Sequence, residues 1–278
     1  MIIAHLTDLH VRPRGVPAYR VVETNMLTAR AIEAVRNHRP AVACLVLSGD
    51  LTDCGLEAEY AELGSMLSRL AVPIFAIPGN HDRRDVLRRT LSHLPGMSAD
   101  PEFVQYAIDD FPVRLVMLDT VVPGAGHGAL CPRRLAWLDD ALRSRPDAPT
   151  MIVMHHPPFD CGIVHMDRIR LLDGETEFRA IVARNPQVER ILCGHHHRPI
   201  HTRYAGTIAS TSAGVAHQVV LDLDPEAPSA LCMEPATLQL HAWLPGSGLV
   251  SHTATVERFE GPYPFLRDPD YPGAPQPM

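Results

Sequence analysis

Residues 73–82 read Pro73-Ile74-Phe75-Ala76-Ile77-Pro78-Gly79-Asn80-His81-Asp82, a short apolar run that stops at a proline, a glycine and three polar side chains. An apolar run of that length, bounded by turn residues, is a buried strand ending in a loop. The same pattern recurs along the chain. Residues 2–6 stop at Thr7-Asp8-Leu9-His10, 41–47 at Ser48-Gly49-Asp50, 150–154 at His155-His156-Pro157-Pro158, and 188–193 at Gly194-His195-His196-His197. Helices are expected between them, over 19–37, 57–70, 83–93, 132–143 and 175–184. Further β-like runs cover 103–108, 113–118, 199–204, 206–211 and 216–222. Repeated strand-loop-helix units place the chain in the α/β class, with mixed sheets packed between helices.

A chain of 278 residues, 46% hydrophobic and 21% charged, suffices for one large globular domain. Its net charge is −7, and all 25 basic residues are arginine. Without lysine there is no Schiff-base chemistry, no pyridoxal phosphate attachment and no P-loop. An acidic chain with no basic run also lacks the electrostatic footprint of a protein that binds nucleic acid polymers. No stretch approaches the ~18 apolar residues of a membrane span, and the N-terminus does not read as a signal peptide, so the expected location is cytoplasmic. The six cysteines are scattered and never spaced C-x-x-C, as expected of free thiols.

Composition shifts near residue 222. A catalytic domain is expected over 1–222, and a β-rich, Pro-rich extension over 223–278 that caps the site or joins a second subunit. Within it 224–229 reads as a linker or exposed loop, 236–259 alternates as strands do, and 261–278 is rich in Pro and Gly.

The five strand-end motifs are Asp8-x-His10, Gly49-Asp50, Gly79-Asn80-His81-Asp82, His155-His156 and Gly194-His195-x-His197. Ligands of α/β folds bind at the carboxyl ends of strands, so all five point to one edge. Carboxylates, imidazoles and one amide suit borderline transition metals. The glycines at 49, 79 and 194 are expected to turn the backbone sharply.

In this order the motifs resemble those of the calcineurin-like metallophosphoesterases. The chain is similar in particular to the bacterial class III phosphodiesterases, which cleave glycerophosphodiesters or cyclic nucleotides. Asp109-Asp110-Phe111, Met154 to Pro158, Met166-Asp167 and Val215-Ala216-His217-Gln218-Val219 look like the glycerophosphodiesterase branch. The resemblance implies a four-layer α/β/β/α sandwich of two mixed sheets flanked by helices. It implies one metal ion held by Asp8, His10, Asp50 and His197, and a second held by Asp50, Asn80, His155 and His195. Asp50 would bridge ions ~3.5–4 Å apart, as is usual in two-metal sites. Both would be divalent or trivalent Fe, Mn, Zn or Co, and a metal-bound hydroxide would attack phosphorus in line. His81 is the implied catalytic residue, with Asn80, His81 and His217 contacting a small phosphodiester. A homo-oligomer is also implied. Strand alternation favours one histidine of the His155-His156 pair and turns His196 away from His195 and His197.

Plainer readings hold elsewhere. His5, His38, His93, His127, His241 and His252 read as structural, and Asp82 as a cap for the following helix in preference to a residue that orients His81. Arg83, Arg84, Arg88 and Arg89 are either a solvated helix face or recruiters of an anionic substrate. Cys161 and Cys193 read as packing residues. A protein phosphatase is disfavoured because that branch of the family usually carries Glu where this chain has Asp82, and a nuclease because of the acidic balance. A closed structural metal site would be rich in Cys, unlike this set. The loop from Phe159 to Asp167 offers one Phe and no Trp or Tyr, which leans toward small alcohol groups rather than a purine. Glycerophosphodiesters are therefore expected to outperform cyclic AMP.

Overall fold

The computed structural model describes residues 1–263, so the tail beyond 263 lies outside the described residues. In chain order the elements are β1 (Ile2–Leu6), α1 (Thr24–Asn37), β2 (Cys44–Leu47), α2 (Glu57–Leu67), β3 (Ile74–Ala76), α3 (Arg84–Thr90), β4 (Tyr106–Ile108), β5 (Arg114–Leu118), β6 (Gly128–Ala129) and α4 (Pro132–Arg143). They continue with β7 (Thr150–Met154), α5 (Val164–Asp167), β8 (Leu171–Asp173), α6 (Glu175–Ala183), β9 (Val188–Cys193), β10 (Ile200–Tyr204), β11 (Thr207–Thr211), β12 (Gln218–Val219), β13 (Leu231–Cys232), β14 (Thr237–Leu244) and β15 (Gly248–Thr255).

Two mixed sheets form the centre, one of five strands in the order β15-β14-β1-β2-β3 and one of six in the order β10-β11-β9-β7-β5-β4. Strand alternation divides the second sheet between two cores. Leu115, Met117, Met151 and Val153 point toward the first sheet, in one cluster with Ile3, Leu45 and Leu47. Their neighbours Val116, Leu118, Ile152 and Met154 point the other way, against Leu138 and Leu142 of α4 and Phe178, Ile181 and Val182 of α6. Ala31, Ile32 and Val35 of α1 and Tyr60, Leu63 and Leu67 of α2 join the first cluster from the other side of the first sheet. The result is the α/β/β/α sandwich, with strands buried on both faces reading as continuous apolar runs. Each fully buried Leu, Ile, Val, Met or Phe contributes about 1.5–3 kcal/mol over its exposed state.

The first helix starts later than its apolar spacing suggests. Ala18 and Val22 form an antiparallel bridge, with Tyr19 and Arg20 left-handed between them at φ 48° and 67°. Asn25 pins this loop by accepting from the Arg12 N–H at 3.0 Å and donating to the Arg12 carbonyl at 2.9 Å. The apolar pair Val21-Val22 thus belongs to a turn. The β-like run 216–222 shrinks to β12, which pairs with β13, so 224–229 is the loop of a hairpin. Further on, β14 pairs antiparallel with β1, placing Ala242 opposite Ile2 and extending the first sheet.

Candidate metal centre

β1, β2, β3, β7 and β9 all release their loops at one edge of the sandwich, and both sheets contribute. The loops interlock: the Asp8 N–H donates to Gly49 O at 3.0 Å, His10 to Asp50 O at 3.0 Å, and Gly194 to His155 O at 3.1 Å. Asp8, His10, Asp50, His195 and His197 all sit at positive φ, between 44° and 68°. Non-glycine residues held there cost of order 1–3 kcal/mol each and cluster at functional sites. Of the three motif glycines only Gly49 has a positive φ, 104°. Gly79 and Gly194 provide space instead. A Cβ on Gly79 would collide with Asp50 Oδ1, and one on Gly194 with Thr7 Oγ1.

Side-chain acceptors converge at this edge. Asp8, His10, Asp50 and His197 place ligand atoms within 4.8 Å of one another, and so do His155, His156 and His195. Backbone carbonyls set the tautomers, because a carbonyl only accepts. His155 Nδ1 donates to Ser48 O at 2.8 Å and His197 Nδ1 to His217 O at 2.9 Å. His10 Nδ1 donates to the Asp53 carboxylate at 3.1 Å. Each Nε2 is left facing other ligand atoms. His155 Nε2 lies 3.1 Å from Asn80 Oδ1 and 3.5 Å from Asp50 Oδ1. His10 Nε2 lies 3.3 Å from His197 Nε2 and 3.6 Å from Asp50 Oδ2, and His197 Nε2 lies 3.2 Å from Asp8 Oδ1. His195 Nε2 donates to Ile169 O at 2.9 Å, freeing its Nδ1. Two groups of lone pairs, joined by the two oxygens of Asp50, fit two cations.

Electrostatics agree. Burial disfavours the cation of His155, but the Asp50 carboxylate beside it raises its pKa to about 9. His197 is raised against its own burial by Asp8. Burial would push Asp50 up, yet His155 and His81 hold it well below the usual carboxylate range. The site therefore takes up positive charge, as protons or as metal, and metal binding competes with protons at these imidazoles.

His81 is placed beside this cluster. Its backbone N–H donates to Asp50 Oδ1 at 2.9 Å, and its Nδ1 to the Asp53 carbonyl at 2.7 Å. The ring meets His10 edge-on at 4.6 Å. His217 stacks 4.3 Å from His197, with its Nδ1 buried and unpartnered. His156 turns to Thr120 Oγ1 at 2.8 Å, while His155 reaches Asp50 and Asn80. His196 is buried against Phe159.

Three readings change. Asp82 is no helix cap: its carboxylate accepts from Leu51 N at 3.0 Å, Thr52 N at 3.1 Å, Thr52 Oγ1 at 3.0 Å, Tyr60 OH at 2.9 Å and Gly79 N at 2.9 Å. It binds the loop after β2 to the loop after β3, and α3 starts without a side-chain cap. Two of the four arginines are engaged, since Arg84 grips buried Asp119 at 2.6 and 2.8 Å and Arg88 caps the carbonyls of Asp100, Pro101 and Phe103, whereas Arg83 and Arg89 stay exposed. Phe159 is buried, so the aromatic that borders the cleft is Tyr19, 53% exposed and 5.3 Å from His217.

Asp53 carries no motif signal, yet it holds His10 and pairs with Arg12 at 3.5 Å. His165, Ile169 and the hairpin residues Ser229–Leu231 also border the cleft. Only long-range folding brings them there. His5 and His241 lie away from it, bonded to Ser48 at 2.8 Å and Ser251 at 2.7 Å.

Residues 1–199 match the family model described as calcineurin-like phosphoesterase. A protein of Arcobacter nitrofigilis named "Probable glycerophosphodiester phosphodiesterase" is 35% identical over 96% of this chain and 98% of its own length. One of Rhodopseudomonas palustris named "Probable cyclic nucleotide phosphodiesterase" is 34% identical over 95% of each. A dimetal phosphatase from Danio rerio has a similar fold, with a TM-score of 0.63 at 17% identity over 92% of this chain and 99% of that one.

Proposed function

Because the chain belongs to the calcineurin-like phosphoesterase family, in its bacterial class III phosphodiesterase branch, we propose that it hydrolyses small phosphodiesters at a two-metal centre, with glycerophosphodiesters preferred. The observation that carries this reading is the meeting of imidazole nitrogens with carboxylate and amide oxygens around the two oxygens of Asp50, in two groups that each take up positive charge. We assign Asp8, His10, Asp50 and His197 to one ion, and Asp50, Asn80, His155 and His195 to the other. The set contains no Cys and suits Fe, Mn, Zn or Co. When bound, two such ions would polarise the phosphoryl oxygens and lower the pKa of a bound water toward ~7.

The chain's own groups do the rest. Asp8, Asp50 and Asp53 leave two divalent ions with a net positive charge, matched to a monoanionic diester. With Nδ1 committed to the Asp53 carbonyl, His81 has Nε2 available to give a proton to a phosphoryl oxygen or to the departing alkoxide. His217, which lines the cleft, is a second candidate for contact with a phosphate oxygen. The hairpin that brings Ser229–Leu231 to the cleft gives the extension after residue 222 a part in enclosing the substrate.

Asp53 orients His10 as a carboxylate partner of a metal-bound imidazole does. Asp53→Ala is expected to weaken metal affinity about 10–100-fold while the fold is kept, and Asp53→Asn to restore part of it. Titration of each variant with Mn(II) measures this, and unchanged affinity in Asp53→Ala would remove Asp53 from the centre.

Tyr19 favours a second substrate, since a purine of cyclic AMP stacks on an aromatic face. The glycerophosphodiesterase-like stretches keep glycerophosphodiesters first. Their kcat/KM is expected to exceed that of 3′,5′-cyclic AMP by about tenfold or more at matched metal loading. A higher kcat/KM for cyclic AMP would reverse the order and leave the metal centre standing.

A further inference from the structure

The cleft has two lobes. One, of about 340 Å³, holds the metal cluster, Tyr19 and His217; the other, of about 550 Å³, opens toward Cys54, Arg83, Pro123 and Gly124. Asn80 and His81 border both. Each volume is of the size that takes a small organic group. From this geometry we propose that the second lobe is the subsite for one of the two alcohol arms of the diester, with the exposed Arg83–Asp85 pair selecting its charge. The proposal rests on the phosphodiesterase reading. A monoester needs one arm site beside its phosphate. A diester sends two arms out of phosphorus in different directions and needs two.

The second lobe is a built cavity. Arg84 crosses it at its base, bonded to buried Asp119 and, at 2.7 Å, to Val121 O. Arg134 bonds the same carbonyl at 3.2 Å. The start of α3 is thereby tied to the opposite wall, where the Val122–Ala125 turn closes at 3.1 Å with Gly124 at φ 79°. Arg84 and Asp82 spend their charges in these and other buried contacts. The charges left at the mouth are Arg83, 59% exposed, and Asp85, 62% exposed, 3.3 Å apart. One of each sign suits a neutral or zwitterionic polar alcohol.

Two variants and two chromogenic diesters test this. Pro123→Trp fills the lobe from the wall away from the metal residues, at a turn position that does not require proline. Bis(p-nitrophenyl) phosphate and methyl p-nitrophenyl phosphate release the same product and differ in the size of the retained arm. Pro123→Trp, with metal content and melting temperature as in the parent, is expected to lower kcat/KM for the bis-aryl diester at least about tenfold. A smaller loss for the methyl diester places the retained arm in the lobe, and an equal loss places the leaving arm there. Arg83→Glu leaves two carboxylates at the mouth and is expected to shift preference toward glycerophosphodiesters with a cationic second arm over those with an anionic one. Both diesters within twofold of the parent in Pro123→Trp, together with an unchanged arm preference in Arg83→Glu, overturn the proposal. A parent protein that hydrolyses neither diester when loaded with metal overturns the phosphodiesterase reading itself.

Discussion

Replacing Asp50 by alanine is expected to remove both metal ions and to lower kcat/KM at least about 10³-fold, because one carboxylate serves both halves of the centre. Its Oδ2 faces His10 at 3.6 Å and its Oδ1 faces His155 at 3.5 Å. Oδ1 also accepts from the His81 backbone N–H, so the change frees that stretch of the loop as well. The carboxylate is 2% exposed, and its loss takes from buried His155 its neighbouring carboxylate, while His10 keeps Asp53. Elemental analysis and steady-state kinetics on the purified variant measure the two effects together. Retention of one full equivalent of metal would show that the two groups of ligands bind independently.

His81→Ala is expected to behave differently, keeping both ions and losing about 10²–10⁴-fold in kcat, the range of a missing general acid. The His81 side chain is 31% exposed and bonded to a backbone carbonyl, and it lies close to His10 and Asp53 but belongs to neither of the two groups joined by Asp50. The acidic limb of the kcat–pH profile reports metal-ligand protonation and should survive in the variant, whereas the alkaline limb should flatten. Burial alone would lower the His81 pKa, but Asp50, the Asp53 carbonyl and Asp53 outweigh it and raise it. The protonated form therefore persists toward neutral pH and is lost as pH rises through the raised value. Parallel loss of metal and activity would instead make His81 a support for Asn80.

Much of this was legible because the chemistry lies at strand ends. Asp8, His10, Asp50, Asn80, His155, His195 and His197 follow apolar runs in the sequence, and parallel strands carry them to one edge. Burial on both faces made those runs continuous, hence readable. Asp53 and Tyr19 were not legible. Asp53 acts through a bond to a histidine 43 positions away, and Tyr19 through a left-handed loop whose neighbours Val21 and Val22 look helical. Asp82 misled because an acidic residue before a helix is a common cap, whereas its five donors come from three separate segments. The short pair β12–β13 is two residues per strand, too brief for alternation to register.

The proposed chemistry requires two ions bridged by Asp50. Stripping the protein with a chelator and titrating Mn(II) back, while following diester hydrolysis and bound metal per chain, tests it directly. Activity is expected to stay low through the first equivalent and to reach its plateau at two ions per chain. Full activity at one ion per chain would contradict it.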